Sequence, residues 1–88
     1  MLNMFTVVGR LNAMLNNTVV LKVQDTTKNE DGVYTSYQIV IEITGNILDN
    51  MKEYCHIGDL VGVKGKITNG NVLVAEKVTF LSSKTNND

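Results

Sequence analysis

Eighty-eight residues with eight Lys or Arg against nine Asp or Glu carry a net charge of −1 and a pI near 5.7, so bulk positive charge cannot draw in a polyanion and any such binding must come from local placement. One cysteine and one histidine exclude an internal disulfide and leave no ligand set for structural zinc, and no apolar run approaches the roughly 20 residues that span a bilayer. The length suits one domain near the lower end for a self-sufficient core, which favours closure into a barrel or support from a second subunit.

Met1 to Arg10 lacks the basic start and long apolar stretch of a signal peptide, which predicts a cytoplasmic protein with no membrane partner. From Asn3 to Leu11 the residues alternate, Phe5, Val7 and Leu11 on one face and Met4, Thr6, Val8 and Arg10 on the other, as in a half-buried strand. Gly9 falls on the inner face, where a bent strand turning a barrel corner benefits from having no side chain. After the turn-rich NAMLNN, a second strand is predicted over Thr18–Gln24, with Val19, Leu21 and Val23 inward and Thr18, Val20, Lys22 and Gln24 outward. Residues 25–33, DTTKNEDGV, are polar and contain Asp31-Gly32, which predicts an exposed hairpin loop. Ser36–Thr44 reads as the third strand, Ile39, Ile41 and Ile43 facing the core and Gln38, Val40, Glu42 and Thr44 facing out.

The period then changes to helical: Ile47, Met51 and Tyr54 or Cys55 share a stripe, Asn46 is placed to cap, Asp49 suits the first turn, and Gly58 marks the exit. About ten residues are too few for a helix stable alone, so this one is expected to close an end of the barrel. The lone Cys55 reads as a small core residue. Leu60–Ile67, with Val61, Val63 and Ile67 inward, and Asn71–Leu81 supply strands four and five, joined through Asn69-Gly70, a strong hairpin signal. Three strands, one short helix and two strands is the order of the all-β OB-fold, a five-stranded Greek-key barrel with its helix between strands three and four. An SH3-like barrel competes on strand pattern alone but usually lacks that helix. The barrel domain is expected over residues 1–82, with 83–88 a short disordered tail.

Three segments, VVGRL (7–11), EYCHIGDLVGVKGKI (53–67) and VAEKVTFLSS (74–83), resemble in order and spacing the bacterial single-stranded-DNA-binding protein family. The resemblance implies an OB-fold that lays single-stranded DNA across one sheet face in replication, recombination or repair, and this chain looks like a short accessory member of phage or mobile-element type. It also implies assembly into a homodimer or homotetramer through the first strand, where Met4, Thr6 and Val8 are apolar for an outward face. Departures are informative. The stacking aromatics of the family's third strand fall by position on Gln38 and Thr44, and Gln24, Asp25, Thr26 and Thr27 offer no ring either. The hairpin between strands four and five is minimal, and the ending SSKTNND leads us to expect a member without the family's long tail and its acidic, phenylalanine-ended tip.

The candidate nucleic-acid-binding residues are accordingly few. Arg10 occupies a position that the resemblance makes a phosphate contact. Lys22 faces outward on strand two, and Lys64 and Lys66 share one face of strand four about 7 Å apart. Lys28 can reach in from the loop, Lys77 is weakened by Glu76 beside it, and Glu42 opposes phosphate. Tyr34 is the better candidate for a stacking ring; Tyr37 follows the parity of Ile39 and is expected at the edge of the core. His56 has no nucleophilic partner, the carboxylates are dispersed, and no phosphate loop, dinucleotide fingerprint or metal motif occurs, so neither enzyme chemistry nor a cofactor is expected. Two other readings stay open: RNA as the ligand, and a protein-interaction module, similar to primosomal replication protein, that uses Gln38, Val40, Glu42 and Thr44 to contact a helicase or primase.

Overall fold

Alternation of apolar and polar side chains becomes, in the computed structural model, a curled sheet whose inner positions meet at its centre. Residues 3–83 are described; Met1, Leu2 and, apart from Ser83, the expected tail lie outside them. The elements are β1 (Met4–Met14), β2 (Thr18–Lys28), β3 (Tyr34–Glu42), α1 (Gly45–Tyr54), β4 (Leu60–Ile67) and β5 (Leu73–Ser82). They close into a barrel with neighbours β1-β2-β3-β5-β4, the OB-fold expected from the element order. All neighbours are antiparallel except β3 and β5, which meet in parallel at the single pair Glu42–Val74.

Leu11, Val19, Leu21, Ile41, Val61 and Val63 fill the centre and are essentially inaccessible. Burial of each such side chain contributes about 1.5–3 kcal/mol. Leu48 and Met51 of α1, with Ile43 and Cys55, close one end of this core, which a helix too short to hold its own shape must do. Burial, and secondarily the negative charge of Asp59, push the Cys55 thiol above its ordinary value of 9.0. Two glycines let the strands come this close. A Cβ on Gly9 would sit 2.8 Å from the Lys22 carbonyl oxygen, and one on Gly65 would overlap the Val74 carbonyl.

The observed elements differ from the expected ones where the alternation slips. β1 runs to Met14 because Leu11 pairs with Leu21 but Ala13 with Val20, which leaves Asn12 as an extra, bulged residue. β2 continues to Lys28 past a second irregularity between the Gln24–Ser36 and Lys28–Tyr34 pairs, where Thr35 Oγ1 donates to Asp25 Oδ2 at 2.7 Å. The polar loop thus shrinks to residues 29–33. The Asn29 side-chain oxygen accepts from the backbone N–H groups of Asp31 and Val33, and Gly32 takes φ +78°. β3 ends at Glu42, not Thr44, because the chain turns into α1 at once.

Thr44, not Asn46, is the N-cap, without a side-chain capping bond, and no acidic residue lies in the first turn of α1, so Asp49 is not placed as expected. The hairpin after β4 is wider than two residues. Asn71 N–H bonds to Thr68 O and Thr68 N–H to Val72 O, so that β5 starts at Leu73. Tyr54 is 66% exposed, and it is Cys55 that completes the helical stripe.

Candidate functional site

β1, β2 and β3 present their even-numbered positions outward, and the register between them decides which side chains meet. Arg10 stands directly opposite Lys22, and Lys22 opposite Gln38. Two residues further along β2, Gln24 faces Ser36, and beyond the irregularity Lys28 faces Tyr34. Arg10, Lys22, Gln24, Tyr34 and Ser36 line one shallow depression of about 340 Å³. Three residues singled out from the sequence therefore come together, and two others, Gln24 and Ser36, join them.

The surroundings orient this group. Asp59 is buried, its carboxylate accepting from the His56 backbone N–H at 2.8 Å, with the His56 ring 3.8 Å away. That turn holds the helix exit against β1, where Leu11 N–H bonds to Asp59 O and Gly58 N–H to Leu11 O. Arg10 Nη1 donates to Gly58 O at 3.3 Å, so the guanidinium is tethered at one nitrogen and keeps its other donors. The Lys28 ammonium lies 5.5 Å from the centroid of the Tyr34 ring, within cation–π range. Tyr34 remains 47% exposed.

Other candidates lie elsewhere. Lys64 pairs with Thr6 and Lys66 with Met4, four and six positions along β1 from Arg10, roughly 13 and 20 Å at about 3.3 Å per residue. They form a separate outward group with Lys77, which sits directly opposite Lys64 because a bulge at Glu76 restores it to that face. Tyr37 pairs with Val23 and keeps the inward parity of Ile39, yet is 49% exposed because the buried core ends before it; it does not line the depression. Glu42 lies at the closing end of the barrel, paired with Thr18 and Val74, four positions from Gln38. It therefore sits well away from the cations at Arg10 and Lys22. Gln38 is exposed and Thr44 is the helix cap, so neither position supplies a ring.

Two apolar surfaces also stand on the outside. Met4 and Val8 are about half exposed, and Val8 and Leu81 flank Gly62. A cleft of about 300 Å³ between α1 and β5 is lined by Ile47, Met51, Tyr54, Val78 and Phe80. Among the described residues no group of three or more His, Cys, Asp or Glu could hold a metal ion, and no helix is long and apolar enough to cross a membrane.

Comparison with solved structures finds similar folds. The mitochondrial single-stranded DNA binding protein Rim1 from S. cerevisiae superimposes with a TM-score of 0.63 at 21% identity over 94% of this chain and 98% of that one. A selenomethionine crystal structure of the same protein gives 0.64 at 19% identity over 97% and 99%. A Plasmodium falciparum SSB in complex with ssDNA gives 0.60 at 20% identity over 93% and 96%. No protein-family model matches the sequence, and no curated protein does.

Proposed function

We propose that this chain binds single-stranded DNA, with a broad tolerance of sequence, as an accessory protein of replication, recombination or repair. The observation that carries the reading is the convergence of Arg10, Lys22 and Tyr34 on one depression in an OB barrel. Two cations for the phosphate chain beside an exposed ring for a base are the two kinds of group that such binding combines. Lys28 steadies the ring. Lys64 and Lys66 supply a second stretch of positive charge further along β1. With one ring where this binding mode uses several, and roughly 1–3 kcal/mol per stacked base, affinity rests more on charge and is correspondingly sensitive to salt. The outward face of β1, with Met4, Thr6, Val8 and the adjacent Leu81, suits a homodimer contact, which light scattering will test.

Fluorescence-anisotropy titrations with labelled single-stranded DNA, duplex DNA and RNA at two salt concentrations test the proposal. Single-stranded DNA should bind tightest and weaken as salt rises. Absence of binding at low salt and high micromolar protein overturns it, and a preference for the ribo-oligomer reassigns the ligand to RNA. One observation favours a protein-contact role instead: Val40, in the middle of the outward face of β3, is 59% exposed. Retention of a helicase or primase after nuclease treatment would support that role.

A further inference from the structure

We propose that the depression reads the base of one nucleotide, with Gln24 and Ser36 hydrogen-bonding to its edge and adenine favoured; this rests on the single-stranded-DNA reading above and refines it. Its volume of about 340 Å³ is at the lower end of the range for small-ligand sites, about 300–1,000 Å³, and suits one nucleotide better than a stack of several. Along the outward face the chemistry comes in three bands. Arg10 and Lys22 oppose each other, then Gln24 and Ser36, then Lys28 and Tyr34. A nucleotide with its phosphate on the first band and its base against the ring of the third lays the edge of that base over the second.

The middle band has capacity to spare. Among the described residues no hydrogen bond engages the Gln24 amide or the Ser36 hydroxyl, and both residues line the hollow. Lys28 contacts the Tyr34 ring without lining the hollow. Stacking is tolerant of base identity because every base has a π-face. Hydrogen bonding is not tolerant, and a glutamine amide, donor and acceptor side by side, matches the N6 and N7 positions of adenine. A face short of rings but lined with amide and hydroxyl groups therefore discriminates at one position where a fully aromatic face would not.

The test uses trinucleotides dT-dX-dT, X being each of the four bases, titrated into the intact protein at low salt while NMR follows the Gln24 and Tyr34 signals. A long oligo-dT is titrated in parallel. With X as adenine, Kd should be about fivefold or more below that for thymine, the smaller end of the discrimination a bidentate pair supplies. Gln24→Ala should shrink that ratio to near unity, while Tyr34→Ala should weaken all four trinucleotides alike. Both side chains are exposed, so the fold should survive, as an unchanged methyl spectrum would verify. Equal affinities, a pyrimidine preference, or binding of long oligo-dT without perturbation of Gln24 by any trinucleotide overturn the base reading and leave the broader one standing. No binding of any oligomer overturns both.

Discussion

Two groups of cations stand on the outside of this barrel, each with one pair set across neighbouring strands, and they differ in what adjoins them. Arg10 and Lys22 face each other beside a hollow that also holds a tyrosine ring, an amide and a hydroxyl. Lys64, Lys66 and Lys77 lie on the β4–β5 side, where the ladder sets Lys64 against Lys77, and none of the three lines that hollow. Each group sets like charges directly opposite, which repel, so what separates the two is the ring, amide and hydroxyl that line the hollow beside Arg10 and Lys22. The contrast teaches that on a chain with no net positive charge the useful cation is the one with a partner of different chemistry next to it.

The largest expected effect concerns folding on the β4–β5 side. Gly65→Ala places a Cβ on the Val74 carbonyl, backbone against backbone, where no rotamer change relieves the overlap. Overpacking costs about 1–3 kcal/mol or more, and at about 4–8 °C per kcal/mol for a domain of this size calorimetry should show Tm falling by about 10 °C. Gly62→Ala, three residues earlier, meets only Leu81 and Val8 side-chain atoms at 3.6 and 3.8 Å and should leave Tm almost unmoved. Equal losses would mean that the β4–β5 contact is looser than described.

Binding experiments sharpen the contrast next. Replacing Arg10 and Lys22 together by alanine should weaken oligo-dT binding by about tenfold and flatten the log K against log salt slope by about 1.4, at roughly 0.7 per phosphate contact in single strands. The Lys64→Ala, Lys66→Ala pair should lose distinctly less affinity in the same titration, and an equal loss would abolish the distinction drawn between the two groups. Tyr34→Ala should cost about fivefold, the lower end of the stacking range, with Tyr37→Ala closer to wild type.

The smallest effect is alkaline. Because burial raises the Cys55 pKa in the folded state, the unfolded chain loses that proton first. Stability from this group is complete below the ordinary value of 9.0 and declines as pH rises from there through the folded-state value. Urea titrations from pH 8 to 10 should show that decline, and Cys55→Ala should remove this component of it.

How much of this was legible beforehand follows from where the strands keep step. The inward sets Val19 and Leu21, Ile39 and Ile41, Val61 and Val63 are plain from period-two alternation. So is the outward direction of Arg10, Lys22, Lys64 and Lys66. What alternation cannot convey is register across a bulge. The slip after Gln24 hid the last part of β2 and with it the Lys28–Tyr34 pair, and the bulge at Glu76 hid the opposition of Lys64 and Lys77. Gln24 and Ser36 carried no signal of their own, since an amide and a hydroxyl on an outward face look like any solvated surface until their neighbours are known. Leu48 escapes the sequence reading for a different reason: it stands three residues before Met51 and seven before Cys55, the same helical stripe, while the stripe drawn from Ile47 passes it by.

The lone parallel pair between Glu42 and Val74 gives the ring a clasp. Much of β3 and β5 has a ladder on one flank only, whereas β4 is held on both sides along nearly its whole length. Amide protons in β4 should therefore outlast those along the β3–β5 join when the protein is placed in heavy water, and the molecule will come undone by unfastening there before any other strand lets go.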